Sequence, residues 1–275
     1  KRFGIYDDML PVLSMSLGAG ETTLLRMATG YCMLANGGKE VKSTLIDRIQ
    51  DRYGRTIWRH DERQCMGCTA DRWANQPEPE LIDDRPQAID PHTAYQVTSI
   101  LEGVVQRGTG QVLKSLDRPI AGKTGTTNQE KDAWFIGYTP TLVVGVYVGY
   151  DTPKPMGKGN TGGLIAAPIF GEFVKNAMVD TPPAPFRVPP GIKFVRVDLK
   201  TGLRASADDT KTILEAFKPD EEPDDGYSMI GFANATADAS AAAGASPSPA
   251  PPPPPPPPPQ PSARQDGGLA PNGFW

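Results

Sequence analysis

The chain has 275 residues, 30 of them proline, with 38% apolar residues and a formal net charge of −4. That length suits one large domain or two small ones, and the mild acidity gives no basis for nucleic acid or an anionic membrane as a partner. No apolar run approaches the roughly 18 residues that a bilayer-spanning helix requires.

The chain opens on KRFGIYDDML, which has neither an initiator Met nor an apolar signal core, and is expected to be cut from a longer protein. ETTLLRMATGYCMLANGG predicts a helix capped by Thr22 or Thr23, with Leu24, Met27, Ala28, Tyr31 and Leu34 on one face. Gly37 suits the left-handed residue after its end, and Cys32 is expected as a small core residue. STLIDRIQDRYGRTIWRHD predicts a hairpin turning near Tyr53 and Gly54. Residues 60–89 are polar and proline-bearing, an expected irregular surface excursion. They hold Cys65 and Cys68 in CMGC, with three readings: a loop-closing disulfide, idle thiols or a metal site. Zinc needs two further ligands where the only histidines are His60 and His92, and the flanks lack the strand and helix of a thioredoxin-like motif.

DPHTAYQVTSILEGVVQRGTG predicts a second helix, with Asp90 as N-cap, Pro91 at the first position and a stop at Gly108 or Gly110. Ala94, Val97, Ile100, Leu101, Val104 and Val105 form its expected buried stripe, and His92 at its start is expected in solvent. RGTG (107–110) reads as a helix-ending turn or a cleft loop. DAWFIGY and TLVVGVYVGYD predict an antiparallel strand pair joined across TPT, with Trp134 in the core. MGKGNTGG (156–163) is a flexible stretch that can border a cleft. AAPIFGEFVKNAM predicts a third helix with Ile169, Phe170, Phe173, Val174 and Ala177 inward. The expected fold is therefore α+β, an antiparallel sheet covered by helices. IKFVRVDLKTGLRA predicts a hairpin in a small appended unit. Beyond about residue 226 the composition turns to Ala, Ser and Pro, and 251–259 is an unbroken proline run, an extended spacer with disordered flanks.

The stretch AGKTGT (121–126) carries two incompatible signals. A phosphate-binding P-loop needs Gly, four residues, then Gly-Lys-Thr opening a helix; here the first position is Asp117 and a strand pattern follows. Lys-Thr-Gly on an edge strand suits an extended anionic peptide. Lys123 supplies charge, the hydroxyls of Thr124 and Thr126 reach a carboxylate, and Gly125 leaves the backbone open. A second Lys-Thr-Gly at 200–202 lies where a hairpin must turn and reads as structural.

The context of the first copy is more specific. DPHTAYQVTSILEGVVQRGTG, RPIAGKTGTTNQEKDAWFIGYTP and VVGVYVGYD together resemble the transpeptidase domain of class A penicillin-binding proteins. LSMSLGAGETTLLRMATGYCMLANGG is similar to an earlier segment of that domain, and GGLIAAPIFGEFV to its closing helix. The resemblance runs from about residue 3 to residue 180. It implies an incomplete penicillin-recognising active-serine fold over 1–185, followed by a hairpin extension over 186–226 and a disordered tail over 227–275.

That family cross-links bacterial cell wall and is acylated by β-lactam antibiotics. A serine in Ser-x-x-Lys attacks the penultimate D-alanine carbonyl of a peptidoglycan stem peptide, and an amine from a second stem resolves the acyl-enzyme. By motif match, Lys123 serves the catalytic proton network, while Thr124, Gly125 and Thr126 bind substrate, and the backbone near Thr126 helps hold the oxyanion. The resemblance implies no cofactor. None of the serines here is followed three residues later by lysine, and Ser-x-Asn is absent. Both motifs are expected before Lys1, with a glycan-polymerising domain and a cytoplasmic-membrane anchor further upstream, and the parent protein facing the periplasm. An oxidising periplasm favours the Cys65–Cys68 disulfide. The alternatives are a D,D-carboxypeptidase or β-lactamase relative, or a scaffold that keeps the fold without a nucleophile.

Overall fold

A computed structural model describes residues 1–223, except 19, 69–71, 73, 207 and 208. The expected disordered tail over 227–275 lies outside the described residues. Among the described residues, three α-helices run along the chain: α1 (Leu24–Ala35), α2 (Pro91–Arg107) and α3 (Ala167–Ala177). Between α1 and α2 lie β1 (Arg48–Gln50) paired with β2 (Thr56–Arg59), and β3 (Cys65–Met66) paired with β4 (Glu80–Leu81). Between α2 and α3 lie β5 (Ala121–Thr126), β6 (Asp132–Tyr138) and β7 (Val143–Gly149), and after α3 come β8 (Lys193–Asp198) and β9 (Thr212–Phe217).

The central sheet is antiparallel in the order β5-β6-β7. Its side chains alternate, so Phe135 and Gly137 face one side while Trp134, Ile136 and Tyr138 face the other. Tyr138 packs with Ala121, Leu101 and Phe186, against Tyr31 of α1 and Tyr95 of α2. Phe135 packs with Ile120, Leu113, Val105 and the α3 residues Phe170 and Val174. The Phe135 and Phe170 rings meet edge-on at 4.8 Å. Helices thus cover both faces of an antiparallel sheet, the α+β arrangement read from the element order.

Local signals account for the helix ends. Thr23 caps α1 by accepting the Arg26 N–H at 3.2 Å, while Thr22 donates to the Ile5 carbonyl instead. Gly37 and Gly38 follow at φ +66° and +85°, a region that favours glycine. Asp90 caps α2 by accepting the Thr93 N–H at 2.9 Å, with Pro91 as the first helical residue. Gly54, at φ +82°, turns the β1–β2 hairpin. Cys32 is half-buried.

Two helix faces differ from expectation. On α2, Ile100 is 60% exposed, and Thr98 takes its place in a buried row with Ala94, Leu101 and Val105. Thr98 donates to the Ala94 carbonyl and accepts from the Tyr138 hydroxyl at 2.8 Å, so its polarity is satisfied inside the core. On α3, Ile169, Phe173 and Ala177 face solvent, and the buried stripe is Ala167, Phe170, Gly171, Val174 and Met178. The helix is apolar over more than one face, and its close approach at Gly171 selects the seated one. A Cβ there would lie 2.9 Å from Leu113.

Residues 200–202 turn as expected. The Asp198 carboxylate accepts the N–H groups of Lys200 and Thr201, and Gly202 sits at φ +71°. The full partner of β8, however, is β9, while the residues straight after the turn add only a bridge between Val197 and Arg204. β9 lies along α2, where Gln96 donates to the Ala216 carbonyl at 3.0 Å. His92 is not free in solvent: its Nε2 lies 2.8 Å from the Pro190 carbonyl and its Nδ1 3.3 Å from Asp90. The stretch 60–89 is not wholly irregular, since it holds the β3–β4 pair; Asp61–Arg63 and Asp83–Arg85 ion pairs flank that pair, Lys39 joins Asp83, and Cys65 and Cys68 are bonded as a disulfide.

Candidate active site

Lys123 and Thr124 lie within β5, not at a helix N-terminus, so the phosphate-loop geometry is absent. β5 stands at the edge of the central sheet and pairs only with β6. Among the described residues no other backbone–backbone hydrogen bond engages 121–126. Apart from the Thr124 carbonyl, which accepts from Lys123, its outward backbone groups can meet an extended ligand strand.

The strand's alternation divides its side chains around that edge. Lys123 and Gly125 share the face of Ile136 and Trp134, their register partners on β6. The Lys123 ammonium is exposed and donates to the Thr124 carbonyl at 2.9 Å. A Cβ on Gly125 would meet the Trp134 Cβ at 3.1 Å, so glycine keeps this approach open. Trp134 is half-buried, not enclosed, and its ring meets Tyr147 edge-on at 4.8 Å.

Thr124 and Thr126 point to the opposite face, where two loops meet the strand. Thr124 Oγ1 lies 2.7 Å from Thr109 Oγ1, and Thr126 Oγ1 accepts the Gly162 N–H at 3.0 Å. Thr126 thereby keeps its own hydroxyl proton to donate to a carboxylate. Gly162 opens a single π-helical turn (Gly162–Ala166) that runs into α3. A Cβ on Gly162 would collide with the carbonyls of Trp134 and Gly125, so only glycine fits. The β5–β6 connection carries two left-handed non-glycine residues, Gln129 at φ +64° and Glu130 at φ +54°. Such backbone persists where its surroundings hold it. Here the Glu130 carbonyl accepts the Met156 N–H at 3.0 Å, and its carboxylate accepts the Gly159 N–H at 2.9 Å.

Thr109 and Gly162 lie in stretches read from sequence as able to border a cleft, but neither was matched to this strand. RGTG ends the helix as a turn, with Gly108 and Gly110 donating to the Val104 carbonyl, and its Thr109 reaches across to β5. MGKGNTGG likewise runs beside the strand's end. The useful signal was a pair of glycine-flanked threonine loops, which no local rule assigns to a particular strand. Further from the edge, burial pushes the Glu102 carboxyl on α2 up to about 7, while the Thr93 backbone N–H holds Asp90 down at about 2.

A family model for the penicillin-binding protein transpeptidase domain matches residues 11–175. The chain belongs to the penicillin-binding protein transpeptidase family. Penicillin-binding protein 1A of Rickettsia conorii is 45% identical over 222 residues, covering 79% of this chain and 28% of that protein. Penicillin-binding protein 1A of Neisseria flavescens is 42% identical over 195 residues, covering 70% of this chain and 22% of that protein. The chain thus spans about a quarter of the length of these penicillin-binding proteins. Among solved structures, penicillin-binding protein 1A from Haemophilus influenzae matches with a TM-score of 0.67 at 27% identity, over 81% of this chain and 36% of that one. PonA1 from Mycobacterium tuberculosis, in complex with penicillin V, shares the fold with a TM-score of 0.53 at 21% identity, over 68% of this chain and 50% of that one. The transpeptidase match ends at residue 175, before the β8–β9 hairpin begins.

Proposed function

We propose that this chain forms the substrate-binding wall of a serine-type D,D-transpeptidase that cross-links peptidoglycan stem peptides. The nucleophilic serine and its lysine, and the Ser-x-Asn motif, come from outside this sequence. Lys123 supports the proton network of that site. Thr124 and Thr126 hold the terminal carboxylate of the D-Ala-D-Ala donor or of a β-lactam, and the β5 backbone near Thr126 helps bind the oxyanion. One observation carries this reading: an unpaired strand edge with an exposed ammonium on one side and two hydroxyls on the other. An extended peptide ending in a carboxylate matches that edge in shape and charge.

The longer protein, in this reading, also polymerises glycan and is anchored in the inner membrane with this domain in the periplasm. The transpeptidase part ends near residue 185, with 186–226 as an appended unit and 227–275 as a tail. The hairpin's start beyond the family match supports that division.

A fluorescent penicillin tests the reading. The 275-residue chain alone takes up no covalent, heat-stable label, while a longer protein that adds Ser-x-x-Lys does. A label on the chain alone would overturn the assignment of the nucleophile. An unlabelled longer protein would leave a scaffold in its place.

A further inference from the structure

We infer that Arg107 and Glu215 form a positioning pair through which the β8–β9 hairpin holds Thr109, and with it Thr124, at the edge of β5. The inference rests on the reading of β5 as the substrate-binding edge. It gives the hairpin, which lies beyond the transpeptidase match, a role in that site.

Arg107 is the last residue of α2, and its Nη2 donates to Glu215 Oε1 on β9 at 2.9 Å. The Glu215 side chain is only 11% exposed, so its charge is withdrawn from water and answered by this guanidinium. The guanidinium folds over Gly103, where a Cβ would lie 2.8 Å from Nη2. Helix, cation and hairpin are thus fitted together, with the cation at the helix end where the macrodipole favours it.

Past Arg107 the chain leaves the helix through a short glycine-flanked loop. Gly108 and Gly110 flank Thr109, and glycine gives a backbone wide freedom in φ and ψ. The N–H groups of both glycines donate to the same acceptor, the Val104 carbonyl, so one point on the helix tethers both ends of the loop. Thr109 must nevertheless meet Thr124 at 2.7 Å, with its carbonyl so close to Gly163 that a Cβ there would stand 2.6 Å away. Fixing Arg107 from the side, two residues before Thr109, removes the rotation of the last helical turn that the tether at Val104 leaves free. The hydroxyl of Thr124 then stays where a carboxylate needs it. A loose pair leaves Thr124 in place on its strand but without a fixed partner to orient its hydroxyl.

The test uses the longer protein that carries the nucleophile, and the second-order rate of acylation by a penicillin as the free acid and as its methyl ester. Arg107→Ala and Glu215→Ala are each expected to slow the free acid about tenfold, within the range for coupled neighbours, and the ester less than twofold. The double variant is expected to be no slower than the slower single one. Arg107→Lys, which keeps a cation of poorer geometry, is expected to recover part of the loss. Where Glu215→Ala fails to fold, Glu215→Gln keeps the volume and serves in its place. An equal fall for acid and ester, additive losses, or no loss would each overturn the inference and leave the transpeptidase reading intact. A wild-type protein that is never acylated would instead remove the transpeptidase reading, and this inference with it.

Discussion

Thr109 Oγ1 lies 2.7 Å from Thr124 Oγ1, so the loop that ends α2 is bonded to the second residue of the Lys-Thr-Gly-Thr stretch. The bond joins residues 15 positions apart and is exposed, which limits its worth to stability. Its consequence is orientation. A threonine hydroxyl rotates freely until a partner selects one direction, and here the partner comes from a different element. Thr109→Val is expected to cost less than about 1 kcal/mol in a urea unfolding midpoint. The same variant, in the longer protein, is expected to slow penicillin acylation several-fold. Unchanged acylation would remove Thr109 from the site.

Gly162 is seated against backbone atoms rather than yielding side chains. Gly162→Ala places a methyl group into the carbonyls of Trp134 and Gly125, on the pair of residues that faces the site. Displacing those strands, or the turn before α3, is expected to cost about 1–3 kcal/mol, the usual scale of overpacking. It is also expected to break the Gly162 N–H bond to Thr126. A thermal melt and an acylation rate report the two effects separately.

Phe170 and Phe173 make a paired test of the helix register. Phe170 is fully buried against Phe135, whereas Phe173 is 52% exposed. Phe170→Ala is expected to cost about 3–5 kcal/mol, the range for buried aromatic truncation. Phe173→Ala is expected to cost under about 1 kcal/mol, measured by urea denaturation. Equal losses would return α3 to the register expected from sequence.

Glu102 supplies a pH dependence. Burial raises its carboxyl from an ordinary 4.5 to about 7, so the folded state binds this proton more tightly than the unfolded state. Charging Glu102 therefore opposes folding. The penalty is absent below about 4.5, grows through the window between the two values, and is complete above about 7. Glu102→Gln is expected to leave stability unchanged at pH 4 and to raise it at pH 8 by about 1–2 kcal/mol, less than the full shift because solvent screens this half-buried group. Urea midpoints at the two pH values check this, and a gain of equal size at both would refute it.

Local signals were legible along the chain. Asp90 and Pro91 opened α2, and Gly54 turned its hairpin, because each acts on backbone within a few residues of itself. The strand over 132–138 was equally plain, from its β-branched and aromatic residues and the TPT turn that follows. The faces of the helices were less so. Thr98 looked polar and Phe173 looked buried, because periodicity reports which residues share a face and not which face finds a partner.

The sequence by itself determined the family, the three helices, the strands of the central sheet, and the motif of Lys123, Thr124, Gly125 and Thr126. These depend on residue types and short spacings that a chain carries before it folds. Only the tertiary structure decided that this motif stands at an open edge of the central sheet. It alone brought Thr109 and Gly162 to the strand and set Arg107 against Glu215, 108 residues away. Such contacts arise when separate elements pack, so their partners are fixed by the shape of the assembled core and not by any neighbour in the chain.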